Sequence, residues 1–117
     1  PPFITGMGAM DEPFEGADLL RDVLSRAPWA RLCCGHMHRP IFTAWAQGLA
    51  LTVPSISMQI DLDLSPEGGD TFRMEMPGYM LHHWDGSHLN SHVCQIPADV
   101  DFSGPHPFAD SVNPVED

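Results

Sequence analysis

The chain has 117 residues and is strongly acidic, with 16 Asp and Glu against 5 Lys and Arg and a formal net charge of −11. This length suits one domain, and 43% apolar residues are enough for a core. The charge argues against binding to a nucleic-acid backbone, which needs clustered basic residues. No apolar run approaches the roughly 18–20 residues that a membrane-spanning helix requires. Three cysteines, two of them adjacent, form a poor disulfide framework, so we expect a cytoplasmic protein.

The first third of the chain predicts a loop, a helix, a strand and a second loop. Residues 1–14 are rich in Gly, Pro and Met and show no sustained period. Across 15–26 the apolar residues recur at i, i+3 and i+4, acidic residues come first and arginines follow, so we expect an amphipathic helix. Pro28 ends it. The apolar run 30–34 predicts a buried strand, and 35–40 breaks the pattern and predicts a loop.

The remainder up to residue 96 predicts strands joined by tight turns. Ala46-Gln47-Gly48 is a hairpin signal, 66–70 indicates a turn, and Asp85-Gly86 predicts a two-residue hairpin turn. The run 56–64 alternates apolar and polar residues, which is typical of a half-exposed strand. The predicted strands are 41–45, 49–53, 56–64, 71–76, 79–84 and 88–96. The expected fold class is α+β, with one clear helix and mostly antiparallel strands.

The composition changes after Pro97, where acidic residues lie among prolines without any Lys or Arg. Such a segment has little means of forming its own core. We therefore divide the chain into a domain over 1–96 and an acidic, Pro-rich tail over 97–117.

The sequence Gly35-His36-Met37-His38 offers the clearest chemistry, because it follows a predicted strand and opens a loop. Two histidines at i and i+2 can face one metal or one each of two metals if the loop turns between them. Gly35 is the residue expected to permit that turn, by a positive φ or a close approach. Imidazole suits several transition metals. On spacing alone, ligation and two solvated loop histidines are about equally favoured.

The stretch 32–39, Leu-Cys-Cys-Gly-His-Met-His-Arg, closely resembles the final G-H-x-H motif of the calcineurin-like metallophosphoesterases. The nearest branch is that of the bacterial class III cyclic-nucleotide phosphodiesterases and glycerophosphodiesterases. Three other segments resemble that branch in the same order: Pro1-Pro2-Phe3 with Gly6 and Met10-Asp11; Pro54-Ser55-Ile56-Ser57 with Gln59; and Pro77-Gly78-Tyr79 with Leu81-His82 and Trp84. The resemblance covers about residues 1–96.

The resemblance implies a four-layer α/β/β/α sandwich that holds two divalent metal ions, Mn, Fe, Zn or Co. His38 would ligate the first ion and His36 the second, and Arg39 could meet a substrate phosphate or pair with Asp11 or Glu12. The implied substrate is a small phosphodiester. The family's D-x-H, G-D-x-x-D and G-N-H-[DE] motifs are absent from the 117 residues. We therefore expect the C-terminal portion of an enzyme, inactive alone, which self-associates through strand edges and apolar surface left without partners.

Two rival interpretations remain. One is a non-catalytic, β-rich binding or assembly module with incidental histidines; the other is a small zinc domain that uses Cys33 or Cys34. Adjacent strand residues point to opposite faces, which favours buried structural thiols over a zinc site. The other residues that invite a chemical role are expected to be structural or surface residues: Asp61, Asp63, His82, His83, His88, His92 and His106.

Overall fold

A computed structural model describes residues 1–97 and 104–107, and most of the predicted tail lies outside this range. A short 3-10 helix, Gly8–Met10, precedes helix α1, Ala17–Ser25. The strands of the described residues are β1 Arg31–Cys34, β2 Ile41–Trp45, β3 Gly48–Thr52, β4 Gln59–Ile60, β5 Phe72–Arg73, β6 Gly78–Trp84 and β7 Leu89–Gln95. The β1–β3 pairing is parallel, whereas β2–β3, β4–β5 and β6–β7 are antiparallel. The expected α+β class with mostly antiparallel strands is confirmed.

The largest sheet has the strand order β1-β3-β2. Trp45 pairs with Gly48, so the predicted hairpin is confirmed with a two-residue turn, Ala46-Gln47. Both turn residues have positive φ, 54° and 65°, as a primed turn requires. Helix α1 approaches this end of the sheet, where the Arg21 guanidinium lies 5.2 Å from the centroid of the Trp45 ring.

The core is small and lies beside the N-terminal loop and the 35–40 loop rather than under helix α1. The buried apolar side chains of the described residues are Phe3, Met7, Met37, Ala50 and Leu51. Two of them come from the N-terminal loop and one from the 35–40 loop. Helix α1 contributes no buried residue, so the loops around β3, rather than the helix, organise the centre of the chain.

The predicted strand 56–64 is wrong, because only Gln59–Ile60 pairs in a sheet. The alternation is also opposite in sense, with Leu62 and Leu64 exposed and the two aspartates half-buried. Asp61 forms an ion pair with Arg73, and Asp63 accepts a hydrogen bond from the Ser65 N–H at 2.9 Å. Residues 61–64 adopt no regular secondary structure, and a turn follows only at 66–69.

The β6–β7 hairpin is present but turns one residue later than predicted. The Asp85 N–H donates to the His88 carbonyl at 3.1 Å, so the turn centres on Gly86 and Ser87. The Asp85 carboxylate accepts hydrogen bonds from the Ser87 and His88 N–H groups, which lower its pKa.

None of the helices within residues 1–97 and 104–107 has the length and apolarity needed to cross a bilayer.

The N-terminal loop is held by one carboxylate. Asp11 Oδ1 accepts from the Thr5 N–H and hydroxyl at 2.8 and 2.7 Å, and Oδ2 accepts from the N–H groups of Gly6 and Met7 at 2.7 and 3.1 Å. Burial raises the pKa of Asp11, but these hydrogen bonds outweigh it and bring the pKa below its ordinary value of 3.8.

Replacing Asp11 with Asn is expected to lower the free energy of unfolding at neutral pH by about 2 kcal/mol, since an NH₂ group then faces two N–H donors. A lowered folded-state pKa stabilises the fold above the unfolded value and loses that effect as the pH falls through the folded value. Urea titrations at several pH values should therefore show the Asp11→Asn and wild-type curves converging in acid. Asp70→Asn, at an exposed position, is the control. A difference that persists at low pH would contradict the argument.

Candidate metal-binding loop

Residues 35–40 form a loop that crosses the end of β3. Strands β1 and β2 both pair with β3, which lies between them, so the loop from Cys34 to Ile41 spans two strand spacings, about 10 Å. The end of β3 holds both ends of the loop. The Val53 N–H donates to the Cys34 carbonyl at 3.0 Å, and the Thr52 hydroxyl donates to the Arg39 carbonyl at 2.5 Å.

The loop backbone has an unusual conformation at both histidines. His36 has φ 78° and His38 has φ 50°, in the left-handed region that non-glycine residues rarely adopt. Each costs on the order of 1–2 kcal/mol and persists only where the surroundings enforce it, often at functional sites. The expectation that Gly35 makes the turn by a positive φ or a close approach is wrong. Its φ is not positive, and a Cβ at that position would meet nothing within 4 Å.

Met37 explains how this conformation is enforced. Its side chain is fully buried, at 0% exposure, whereas His36 is exposed and His38 is half-buried. The apolar side chain between the histidines therefore anchors the loop in the core and leaves the flanking imidazoles nearer the surface.

His38 has a defined ring environment. Its Nδ1 lies 3.2 Å from the Met58 carbonyl oxygen. A carbonyl only accepts, so Nδ1 carries the proton in the neutral ring and Nε2 keeps its lone pair. This is the arrangement of most metal-ligating histidines, whose second ring nitrogen donates to a carbonyl or carboxylate. The Ile60 N–H also donates to the His38 carbonyl at 3.3 Å.

Arg39 is held by groups from two later segments. Its guanidinium donates to both Glu75 carboxylate oxygens, at 2.9 and 3.2 Å, and to the Ile60 carbonyl at 2.6 Å. The partner is thus Glu75 and neither Asp11 nor Glu12. Arg39 borders a cleft of about 180 Å³ whose other lining residues are Pro40, Pro54, Gln59, Glu75, Met76, Gly78, Val93 and Gln95. The cleft is adjacent to the loop, but His36 and His38 do not line it.

The two adjacent cysteines lie in different surroundings. Cys33 is exposed, with Sγ 3.9 Å from His82 Nε2, and Cys34 is half-buried, so the interpretation of both as buried thiols is wrong. Partial burial raises the pKa of each thiol.

Within the described residues no three His, Cys, Asp or Glu side chains are grouped so that they could hold a metal ion.

The hairpin histidines are exposed side chains. His82, His83, His88 and His92 all lie at exposed positions, in agreement with their interpretation as structural or surface residues. His82 Nδ1 lies 2.7 Å from the Ser91 hydroxyl, which also accepts from Arg31 at 2.6 Å. Sequence reasoning missed three groups around the loop: Glu75, the Met58 carbonyl and the buried Gln59 amide. Gln59 is among the residues that carry the resemblance and Met58 lies in the same segment, whereas nothing in the sequence indicated a role for Glu75.

No protein-family model matches the chain. A curated relative from Arcobacter nitrofigilis, named "Probable glycerophosphodiester phosphodiesterase GpdQ", is 37% identical over 95 residues, which are 80% of this chain. The aligned part is 34% of that relative, so the chain spans about a third of its length. This chain is therefore similar to one part of a protein named for the hydrolysis of glycerophosphodiesters.

Proposed function

We propose that this chain is the C-terminal portion of a divalent-metal-dependent phosphodiesterase of the calcineurin-like class. The observation that supports it best is the loop of residues 35–40, where two histidines adopt left-handed backbone around a buried methionine. The 37% identity to a protein named as a glycerophosphodiester phosphodiesterase supports the same reaction class.

In this proposal His36 and His38 each supply one ligand to a two-metal centre. The donor chemistry fits, since the Met58 carbonyl accepts from Nδ1 of His38 and leaves Nε2 as the ligating atom. His36 is exposed and so accessible to an ion. Imidazole suits Mn, Fe, Zn and Co alike, so the histidines do not select among these metals. When bound, two such ions lower the pKa of a water molecule and neutralise charge on the phosphoryl oxygens.

The proposed substrate is a small phosphodiester. The relative's name favours a glycerophosphodiester over a cyclic nucleotide. Arg39 remains the proposed phosphate contact. Because both Glu75 oxygens hold its guanidinium, it would need to exchange or share that carboxylate to meet a phosphate.

We also propose that the chain forms a homo-oligomer. The β6–β7 hairpin is a two-stranded sheet with large exposed apolar side chains, and isolated hairpins of this kind are marginally stable in water. The exposed apolar residues on and next to it are Tyr79, Leu81, Trp84, Val93 and Ile96. A second copy would cover this surface.

Calorimetric titration with Mn²⁺ tests the proposed ligands. We expect His36→Ala and His38→Ala each to weaken Mn²⁺ binding by at least about 10-fold, because removing a ligand should cost no less than removing an outer-shell partner. His83→Ala, an exposed histidine on β6, is the matched control and should leave the affinity unchanged.

Equal affinity in wild type and both loop variants would remove the metal role of the loop. No measurable binding by the wild-type chain would favour the alternative of a non-catalytic, β-rich binding or assembly module. Weaker binding only in Cys33→Ser or Cys34→Ser would favour the zinc-domain interpretation.

A further inference from the structure

Gln59 has a polar side chain at a buried position. It opens the two-residue strand β4 and is 4% exposed. A buried amide costs free energy unless its donors and acceptor are satisfied. The partners of the Gln59 amide should therefore reveal what the residue holds in place.

Those partners lie just before it in the chain. Gln59 Nε2 donates to the Ser55 carbonyl at 2.7 Å and approaches the Ser57 carbonyl at 3.5 Å, while Oε1 accepts from the Ser55 N–H at 3.0 Å. The amide thus clamps Ser55 by bonding both its N–H and its carbonyl. The chain between Ser55 and Gln59 is fixed as a compact loop as a result.

Met58 lies within this clamped loop, and its carbonyl is the group that faces His38 Nδ1 at 3.2 Å. On the other side of Gln59, the Ile60 N–H donates to the His38 carbonyl at 3.3 Å. The two neighbours of Gln59 therefore contact His38 at its ring and at its backbone. Any shift of Gln59 would move both contacts together.

We propose that Gln59 is a positioning residue that sets the tautomer of His38. By fixing the Met58 carbonyl opposite Nδ1, it keeps the proton of the neutral ring on Nδ1 and leaves Nε2 free to bind a metal. The use of that Nε2 as a ligand rests on the proposed function, whereas the tautomer itself does not.

The test is a long-range ¹H–¹⁵N NMR spectrum of the uniformly labelled 117-residue chain at about pH 8, above the ordinary imidazole pKa. His38→Gln identifies the His38 signals among the seven histidines. In the wild type we expect His38 Nε2 at the position of an unprotonated nitrogen and Nδ1 at that of a protonated one. In Gln59→Met, which keeps the side-chain length but removes the amide, we expect both signals to move toward a mixed population.

Gln95→Met is the matched control, because Gln95 lines the same cleft but is exposed and belongs to a different strand, β7. Its His38 signals should stay at wild-type positions. Gln59→Glu, which retains the acceptor oxygen and loses the Nε2 donor, supplies the readout if Gln59→Met does not fold. Unchanged His38 signals in a folded Gln59 variant, or an Nε2-protonated ring in the wild type, would overturn the proposal.

A second measurement separates this proposal from the proposed function. If both hold, Gln59→Met should bind Mn²⁺ about 10- to 100-fold more weakly than wild type, the usual effect of losing an outer-shell partner. If the tautomer shifts but the wild-type chain binds no Mn²⁺, the positioning role stands and the proposed metal site fails. If Mn²⁺ binds through both histidines but the tautomer does not depend on Gln59, the positioning role fails alone.

Discussion

The 117 residues alone are expected to hydrolyse bis(p-nitrophenyl) phosphate no faster than the free metal ion. Two-metal hydrolysis needs a carboxylate or similar group between ions about 3.5–4 Å apart. The sequence contains no D-x-H, G-D-x-x-D or G-N-H-[DE] motif to supply one. His36 and His38 would give each ion a single protein ligand, which allows weak binding but does not fix two ions at the spacing that hydrolysis needs.

Supplying the missing ligands should restore turnover. We expect a chimera that joins the unaligned part of the Arcobacter nitrofigilis relative to this chain to hydrolyse the ester in a metal-dependent way. Because enzymes accelerate such reactions by about a million-fold or more, the difference from the 117 residues should be large. In the chimera, His36→Ala and His38→Ala should abolish most turnover and His83→Ala should not. Metal-dependent turnover by this chain alone would contradict the proposed centre.

Gly69→Ala is expected to lower the free energy of unfolding by about 2–5 kcal/mol, the sum of a backbone and a packing cost. Gly69 has φ +97°, and a Cβ there would lie 2.3 Å from the Met7 carbonyl oxygen and 2.8 Å from Met10 Cγ. Left-handed backbone costs an alanine about 1–2 kcal/mol, and moving a packed backbone out of contact costs about 1–3 kcal/mol more. The substitution would separate the 66–70 turn from the N-terminal loop.

Gly86→Ala is the matched control for this prediction. Gly86 has nearly the same φ, +99°, but a Cβ there would meet nothing within 4 Å. Its substitution should cost only the backbone term. Urea midpoints compared at equal m-values measure both changes. Equal losses in the two variants would mean that the contact between the turn and the N-terminal loop contributes little.

The elements that could be predicted from sequence are those whose determinants are local. Strand β2 was predicted with its observed bounds, Ile41–Trp45, and the helix to within two residues at its start and one at its end. Period, proline and turn residues suffice for such elements. The 35–40 loop could also be identified from sequence as a candidate site, because two histidines beside a glycine can be recognised without a structure.

The features that could not be predicted depend on partners distant in the sequence, or on polar side chains that face inward where the alternation of apolar and polar residues places them outward. Arg39 and Glu75 are 36 residues apart, and nothing in either neighbourhood indicates the pair. The strand expected over 56–64 failed because Gln59 turns its amide inward to bond its own loop. The positive φ lies on the histidines rather than Gly35, since burial of Met37 sets the loop. The alternation of apolar and polar residues indicates none of these three features.

The strand order of the largest sheet constrains the order in which the chain can assemble. The β2–β3 pairing joins neighbours across a two-residue turn, whereas β1 pairs with β3 further along the chain, as in Arg31 with Leu49. Local pairing closes at a smaller loop-entropy cost, so the hairpin is expected to form first and β1 to dock onto it. The histidine loop is then closed only when β1 docks, and the arrangement of its two histidines arises with folding instead of preceding it. An ion that recognises the finished loop would stabilise the docked strand and, through it, the whole sheet.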